Sequence, residues 1–176
     1  MFNIVLHEPE IPNNTGNIGR TCIATHCALH LIRPLGFDTS EKACRRAGLD
    51  YWPRLNPLQH DSFDHYLAST TPQRLWLFTT KSNRPTLGPA APRFLPGDHL
   101  VFGKETKGLP DHLLARYPDQ LLTLPMARGE RSLNLATAVC AVIYLALDQL
   151  LRDGTITLDA AARLTNPKTT LQTPKA

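Results

Sequence analysis

Three polar segments each follow an apolar run that is typical of a β-strand. They are residues 14–20, residues 103–110 and residues 125–134, and each offers glycine together with hydrogen-bonding side chains. In folds that alternate strands and helices, ligands bind where loops leave the carboxyl ends of the strands. We therefore expect the three segments to converge on one small-molecule pocket, which is more typical of an enzyme than of a scaffold.

The first segment is interpreted as the start of a helix that favours an anion. Residues 16–19 lack the full Gly-x-Gly-x-x-Gly pattern and any Gly-Lys-Ser/Thr sequence, so they support neither a dinucleotide site nor a P-loop. We predict a helix over residues 16–28 with Thr15 as its N-cap and free N–H groups that attract an anion. Arg20 would lie one turn inside, either as an ordinary surface arginine or, with Asn14, as a phosphate or ribose contact.

The second and third segments also leave two interpretations open. Glu105 lies between Lys104 and Lys107, where it could belong to a solvated charge cluster on a turn or to a binding site. Ser132 is a natural N-cap for the long helix that follows. Capping would explain Ser132 fully, but it leaves Asn134 unexplained.

Several other kinds of chemistry lack their sequence patterns. There is no Ser/His/Asp set, no paired carboxylates and no metal-ligand cluster, which argues against hydrolysis. His7, after the first strand, is interpreted as a satisfied structural histidine. The four cysteines show neither Cys-x-x-Cys nor zinc-finger spacing, so we expect buried, reduced thiols, as suits a cytoplasmic protein.

Composition sets only broad limits. A chain of 176 residues with 42% hydrophobic residues is most simply one globular domain. The net charge of +4 permits an anionic partner such as nucleic acid without requiring one. The N-terminus lacks the basic region of a signal peptide, and the longest apolar run, residues 135–147, is too short to span a bilayer. We therefore predict a cytoplasmic protein without a membrane partner.

The pattern of elements predicts an α/β fold, a single domain with a mostly parallel sheet and helices on both faces. Residues 82–98, with four prolines, are expected to form a loop, and residues 159–164 a turn or two of helix before a mobile tail at 166–176. Strands are predicted at residues 3–7, 29–33, 75–79, 99–103 and 121–124, and helices at 16–28, 40–47, 62–69, 110–116 and 132–152.

The longest predicted helix is apolar on nearly all sides between residues 135 and 147. Such a helix must be covered on more than one side. A central core position in a monomer would cover it, and so would an interface between subunits. Spacing alone leaves both possibilities open.

Taken in chain order, the polar segments resemble the three motifs of the SPOUT methyltransferases. The matching stretches are residues 14–22, residues 103–110 and Pro125-Met126 with residues 131–135. More narrowly, Ile-Pro-x-Asn-Thr-Gly-Asn at residues 11–17 and Arg-Arg-Ala-Gly-Leu-Asp-Tyr at residues 45–51 resemble the small tRNA wobble-nucleotide 2′-O-methyltransferases. The resemblance covers residues 1–153 without large gaps.

The resemblance implies a fold, a cofactor and a domain boundary. Residues 1–154 would form the methyltransferase domain, with a deep trefoil knot in its C-terminal part that holds S-adenosylmethionine. Residues 155–176 would form a C-terminal extension that is partly disordered. The cofactor would be lined by Phe78, Thr79, Gly103, Leu124 and Ser132. Because the methyl donor already carries its leaving group, no metal would be required.

The resemblance also implies roles for individual side chains. The catalytic arginine of the family falls on Arg20, its motif-two glutamate on Glu105, and its motif-three pair on Ser132 and Asn134. Because a guanidinium group stays protonated in proteins, we expect Arg20 to bind a flanking phosphate and stabilise alkoxide charge rather than to act as a base. Ser132 and Asn134 would orient the hydroxyl or the cofactor, and Glu105 would hold Arg20 or a ribose.

The implied substrate is the anticodon stem-loop of tRNA. Methyl transfer would go to the ribose 2′-hydroxyl of the wobble nucleotide, cytidine or uridine 34, and Asn14, Arg20, Arg45 and Arg46 would contact the RNA. A homodimer formed through the long C-terminal helix would widen the RNA surface. The alternatives are methylation of another tRNA or rRNA site, a catalytically inactive RNA-binding module, and a nucleotide-dependent oxidoreductase, for which the dinucleotide fingerprint is missing.

Overall fold

The computed structural model describes residues 1–40 and 50–165, and these form a parallel sheet with helices on both faces. The strands are β1 (Asn3–His7), β2 (Ala28–Ile32), β3 (Leu58–His60), β4 (Leu75–Phe78), β5 (His99–Phe102) and β6 (Leu121–Leu122). The helices are α1 (Pro12–Ala24), α2 (Trp52–Leu55), α3 (Phe63–Thr70), α4 (Asp111–Arg116) and α5 (Leu135–Arg152), with a 3₁₀ turn at Pro118–Gln120.

The six strands lie in the order β3-β2-β1-β5-β4-β6, and every pair is parallel. The chain moves outward from β1 to β2 and β3, and then fills the other half of the sheet with β4, β5 and β6. All carboxyl ends therefore lie at one edge. The predicted α/β class and parallel sheet are confirmed.

Alternation along β1 assigns each face of the sheet to its own core. Ile4 and Leu6 belong to a cluster with residues of α1 and α5, whereas Val5 belongs to a cluster with residues of α3 and α4. Successive strand side chains point to opposite faces, so one strand serves both cores. The first face thus lies under α1 and α5, and the second under α3 and α4.

The start of α1 differs from the prediction. The helix begins at Pro12 rather than at residue 16, its N-cap is Ile11, and no side chain caps it. Proline is favoured at the first helical position because its φ is already helical and its missing N–H is not needed there. Thr15 is therefore inside the helix and buried, and its Oγ1 has no hydrogen bond within the described part of the chain, so its predicted role as N-cap is wrong.

The start of α5 also differs from the prediction. The helix begins at Leu135, and its N-cap is Asn134, whose side-chain oxygen accepts from Ala136 N at 2.9 Å and from Thr137 N at 3.3 Å. The predicted cap, Ser132, lies two residues before this position. One asparagine side chain satisfies two of the free N–H groups at the start of the helix, which is why the helix starts later than expected.

Other predicted elements lie close to their observed positions. β1 matches its prediction, and α3 begins after Ser62, whose Oγ accepts from His65 N at 3.0 Å as an N-cap. The short elements β3 and α2 were not predicted. The predicted helix over residues 40–47 falls mainly on residues outside the described part of the chain, as does the predicted tail from residue 166.

The segment that follows α5 is not helical, so the helix predicted over residues 159–164 is wrong. Asp159 Oδ1 instead accepts from Ala161 N and Arg163 N, both at 2.9 Å, and this closes a turn. An isolated bridge joins Leu158 to Leu164, and Ile156 is buried in the first core. Within the described residues 155–165, Ile156 and Leu164 therefore pack against the domain, whereas residues 157–163 are exposed.

Helix α5 is long and apolar enough to cross a membrane by length and composition. A core helix meets the same criterion. Its residues Val139, Ile143 and Leu150 are fully buried in the first core, against α1 and the sheet. Tyr144, on the opposite side, is 54% exposed. We therefore interpret α5 as a core helix with one uncovered strip.

Candidate cofactor and RNA site

A cavity of about 520 Å³ lies at the carboxyl ends of β4, β5 and β6, beside the start of α5. Its volume lies within the range of sites for small ligands, roughly 300–1,000 Å³. It is lined by all five residues predicted to hold the cofactor, and also by Asn14, Glu105 and Asn134. The three polar segments therefore meet at one place, as expected from their positions after strands.

Glu105 joins the second segment to the start of α1. Its carboxylate accepts from Glu10 N at 2.8 Å, from Ile11 N at 3.3 Å and from Asn14 Nδ2 at 3.0 Å. Three donors on one ionised group make strong, charge-assisted bonds. Among the described residues Arg20 is not one of these partners, so Glu105 does not hold Arg20 within one chain, and its contact with a ribose stays a prediction. Glu105 fixes the position of the loop instead.

Asn14 carries this network on to the third segment. Its amide nitrogen donates to Glu105, and its Oδ1 accepts from Asn134 Nδ2 at 3.0 Å. The Oδ1 atom of Asn134 caps α5. One chain of hydrogen bonds thus connects residues separated by as many as 120 positions along the sequence. The positions of three loops are therefore coupled at the cavity wall.

Two further contacts join the loops after β1 and β5. Lys104 Nζ lies 2.6 Å from Glu8 Oε2, and this ion pair raises the pKa of Lys104. The Oγ1 and backbone N of Thr106 donate to the carboxylate of Glu10, at distances between 2.8 and 3.1 Å. The loop after β5 is thus held along its length before any ligand binds.

Gly103 permits the tight fold of this loop. A Cβ added there would lie 2.0 Å from Gly108 C and 2.2 Å from Leu109 N. Both are backbone atoms, which cannot move aside as the end of a side chain can. The loop closes at this point through the bond from Gly108 N to Lys104 O at 2.8 Å. Residue 103 must therefore be glycine for the cavity wall to keep this form.

The rest of the cavity combines apolar and polar groups. The rings of Phe78 and Phe102 stack with centroids 4.5 Å apart, and Leu124 and Met126 add further apolar surface. Thr79 and Ser132 contribute hydroxyl groups, and Lys81 and Arg131 contribute positive charge. Apolar walls suit a flat base, while hydroxyl groups and cations suit a ribose and a carboxylate. This combination of apolar, hydroxyl and cationic groups fits S-adenosylmethionine.

Arg20 does not line the cavity. It lies nine residues into α1 rather than one turn, is exposed, and its guanidinium group lies 4.6 Å from the ring centroid of Tyr51. The hydroxyl of Tyr51 donates to Gly16 O, so the stack is anchored on the same helix. Arg45 and Arg46 lie outside the described residues.

Some residues near the site were not predicted from the sequence. Lys81 lines the cavity and pairs with Asp111 Oδ1, and its position just after Thr79 was the available signal. Tyr51 supports Arg20, and it ends the segment at residues 45–51 that carries the resemblance. Both signals are weak, because the contacts that give these residues a role form only in the folded chain.

The protein belongs to the SpoU rRNA Methylase family, whose sequence profile matches residues 1–144. Family membership confirms the resemblance noted from the motifs. The fold, with its parallel sheet and its cavity at the carboxyl edge, agrees with this assignment.

Individual relatives carry more specific descriptions. The chain is 45% identical over 155 residues to a tRNA (cytidine(34)-2′-O)-methyltransferase of Saccharophagus degradans, covering 85% of this chain and 96% of the relative. It is 44% identical to a solved structure described as "Structural insights into the 2-OH methylation of C/U34 on tRNA", with a TM-score of 0.77, covering 85% of this chain and 96% of that one.

A more distant structure shares the fold. It is an AdoMet-bound rRNA methyltransferase of Sinorhizobium meliloti, 22% identical, with a TM-score of 0.70, covering 85% of this chain and 57% of that one. Structural neighbours of this chain thus include an enzyme solved with the methyl donor.

Proposed function

We propose that this protein transfers a methyl group from S-adenosylmethionine to the ribose 2′-hydroxyl of nucleotide 34, cytidine or uridine, in the anticodon loop of tRNA. The observation that carries the proposal is the coupling of all three family motifs around one cavity through Glu105, Asn14 and Asn134. The 45% identical relative, which matches along nearly its whole length, supports the choice of tRNA over rRNA.

The cofactor is assigned to the cavity. S-adenosylmethionine supplies a methyl group that already carries its leaving group, so the protein need only position the reactants. Phe78 and Leu124 would contact the adenine, and Thr79 and Ser132 would hold the ribose or the carboxylate. Gly103 keeps the loop close enough to form the wall. Holding two reactants in line is a large source of rate by itself.

Asn14 and Asn134 would orient the nucleotide that is methylated, because both line the cavity and fix each other's amide orientation. Glu105 acts through Asn14 and is a positioning residue. Arg20 would bind a phosphate beside the reacting ribose and stabilise negative charge on the 2′-oxygen. Arg45 and Arg46 would hold more distant phosphates of the anticodon stem-loop.

The exposed position of Arg20 is one reason to propose a homodimer. Within one chain Arg20 lies outside the cavity, so a second subunit could supply it to the cofactor of the first. The uncovered strip of α5, with Tyr144 exposed and Leu145 half-buried, offers an apolar surface for that contact. Tyr144→Glu should give a monomer by sedimentation. A stable and fully active wild-type monomer would contradict the dimer.

Three further features belong to the proposal. The C-terminal part of the domain would carry the trefoil knot. Residues 155–176 would be a C-terminal extension that adds no residue to the catalytic site, although Ile156 packs against the domain. The enzyme would act in the cytoplasm, where tRNA is modified. A shortened protein that ends at residue 154 should test the extension, since it should retain cofactor binding if the boundary is right.

The direct test is a map of ribose methylation by mass spectrometry. Purified protein, S-adenosylmethionine and unmodified tRNA should give a methyl group on the ribose of nucleotide 34 alone. Gly103→Ala, which should not bind the cofactor, provides the inactive control. Methylation of rRNA with none on tRNA would show that the substrate is rRNA and would contradict the proposed function. Cofactor binding without methylation of any RNA would indicate an inactive RNA-binding module.

A further inference from the structure

A second cavity, of about 530 Å³, lies at the same edge of the sheet and has no role in the proposed site. It lies beyond the carboxyl ends of β1 and β2, between the loop that precedes α3 and helix α4. We call it the switch crevice and define it by His7, Arg33, Asp64, Lys107, His112 and Arg116. It shares Lys104, Lys107 and Gly108 with the cofactor cavity, so one loop separates the two.

The switch crevice lies where ligands commonly bind to α/β sheets, outside the carboxyl ends of the strands. The chain leaving β1 turns to α1 and then to β2, whereas the chain leaving β5 turns to α4 and then to β6 on the other side. Neighbouring strands whose connections diverge create a crevice outside their carboxyl ends, and ligands bind there. The cofactor cavity lies beside β4, β5 and β6 instead. The cofactor cavity reaches the chain that leaves β1 through Ile11 and Asn14, so the switch crevice occupies the other side of the same switch point, beside His7 and Glu8.

The charges in the switch crevice favour an anion. Its three carboxylates each have a cation within 4 Å: Glu8 with Lys104 at 2.6 Å, Asp64 with Arg116 at 2.8 Å, and Asp61 with Arg33 at 3.8 Å. Lys107 has no ion pair among the described residues, and neither does His112. The acidic groups are thus neutralised, and one cation is left over on the loop shared with the cofactor cavity.

His7 provides a second observation that points to a ligand site in the switch crevice. Its side chain is 6% exposed and lines the crevice, yet its Nδ1 has no hydrogen-bond partner among the described residues. The expectation of a satisfied structural histidine is therefore wrong. Burial lowers the pKa of His7, so the ring is neutral at neutral pH. A buried polar atom without a partner is costly, and ligand sites are one place where such atoms persist.

We propose that the switch crevice binds a phosphate-bearing nucleotide of the RNA substrate that neighbours the methylated one. The cations around Lys107 and Arg33 would contact the phosphate, and the apolar floor formed by Phe63 and Leu113 would contact the base. Because the shared loop lines both cavities, it would contact the RNA on one side and the cofactor on the other. This inference rests on the proposed function and adds a recognition subsite to it.

His112 offers the sharpest test, because it is exposed on α4, lines only this crevice and makes no hydrogen bond or ion pair within the described residues that its loss would break. His112→Glu places a carboxylate in the crevice. Ala115→Glu is the matched control, since it adds the same side chain at an exposed position of the same helix that lines neither cavity. Affinities for an anticodon stem-loop RNA and for S-adenosylmethionine should be measured for both variants and the wild type.

His112→Glu should weaken RNA binding about tenfold, the usual size of one charge-assisted contact, and Ala115→Glu less than about twofold. Cofactor affinity should stay the same in both. Arg33→Gln should weaken RNA binding and reduce the log–log salt slope by about 0.7, the value for one phosphate contact on a single strand. Equal RNA affinity for His112→Glu and Ala115→Glu would overturn the inference.

A titration with uridine 5′-monophosphate, followed by the imidazole proton resonances of His112, separates the sources of phosphate. A saturable shift together with weakened RNA binding supports the subsite. A shift without any loss of RNA affinity in His112→Glu assigns the crevice to a free nucleotide and overturns the RNA assignment. Methylation is assayed separately, so an enzyme that binds RNA through the crevice but leaves nucleotide 34 unmodified would refute the proposed function and not the subsite.

Discussion

Two networks of polar side chains in this protein serve different purposes, since one lines a cavity and the other is buried in the core. One is the edge network, Glu105, Asn14 and Asn134, which lines the cofactor cavity. The other, on the α3 face of the sheet, is a histidine cluster formed by His30, His60, His99 and Tyr66. The edge network borders open space, whereas the three histidines of the cluster are 3%, 5% and 7% exposed.

The polar atoms of the histidine cluster hydrogen-bond to one another and to Ser69. His30 Nδ1 lies 3.1 Å from His60 Nε2, and the hydroxyl of Tyr66 pairs with His99 Nδ1. Ser69 Oγ lies 3.2 Å from His60 Nδ1 and closes one end. Buried polar groups that pair with one another stabilise a particular packing rather than a ligand. The comparison teaches that open space beside a network, rather than its polarity, distinguishes a binding site.

The largest effect is expected where the edge network depends on backbone packing. Gly103→Ala should abolish S-adenosylmethionine binding, because its Cβ would lie 2.0 Å from Gly108 C. Calorimetry measures the binding, and circular dichroism checks that the chain is folded. Gly88→Ala is the control, since a Cβ there has nothing within 4 Å and only a strained φ of +80°. Unchanged affinity in Gly103→Ala would remove this loop from the cavity.

The sequence predicted the parts of the fold that depend on local pattern. Strand β1 lies where it was predicted, and the helix predicted over residues 62–69 matches α3 to within one residue at each end. The glycines of α1 were interpreted as the start of the helix, whereas both lie inside it. Gly19 instead allows α2 to approach, since an added Cβ would lie 2.7 Å from Leu55 Cδ2. That reason is visible only once the two helices are in contact.

The site shows the same division between local and tertiary information. The three polar segments indicated where a cavity would form, because loops after parallel strands share an edge. Their sequence could not indicate that Glu105 binds backbone N–H groups of the β1 loop, nor that Asn134 rather than Ser132 caps α5. The first contact depends on which loops approach one another to hydrogen-bonding distance, and the second is a choice between two residues that are equally good N-caps. The switch crevice had no sequence signal, since His7 looks like any strand-end histidine.

The second effect concerns a group outside the edge network. Arg20→Ala should lower the rate at saturating tRNA about 100-fold or more, the usual loss when one group that stabilises transition-state charge is removed. Cofactor affinity should be unchanged, because Arg20 does not line the cavity. Arg54→Ala, at an arginine of the neighbouring helix α2, is the control. Normal turnover by Arg20→Ala would show that the edge network works without a guanidinium group.

The third effect tests the histidine cluster. Burial lowers the pKa of His30 and of His99 from the ordinary 6.5 to about 4. Between these values the unfolded chain binds more protons than the folded one, so the free energy of unfolding should fall as the pH drops from about 6.5 towards 4. The loss should reach up to about 3 kcal/mol for each histidine.

Urea unfolding at several pH values measures this dependence. His30→Gln should flatten it, and His26→Gln, at an exposed histidine, should leave it unchanged. Cofactor affinity at pH 7 should be the same in all three proteins, since the cluster does not reach the cavity. A pH dependence that survives in His30→Gln with its full size would mean that other groups cause the acid instability.

The smallest effect separates the two roles of Asn134, which caps α5 with its oxygen and binds Asn14 with its nitrogen. Asn134→Ala removes both and should cost about 1 kcal/mol of stability together with activity. Asn134→Asp keeps the cap, and its charge is favourable at a helix start, but it has no N–H for Asn14 Oδ1. Its stability should therefore match the wild type while its turnover falls about tenfold, the size of one lost hydrogen bond. Denaturant midpoints and single-turnover rates measure the two quantities on the same samples. If Asn134→Asp keeps full activity, the bond to Asn14 does not position the substrate, and the edge network then resembles the histidine cluster as a structural support.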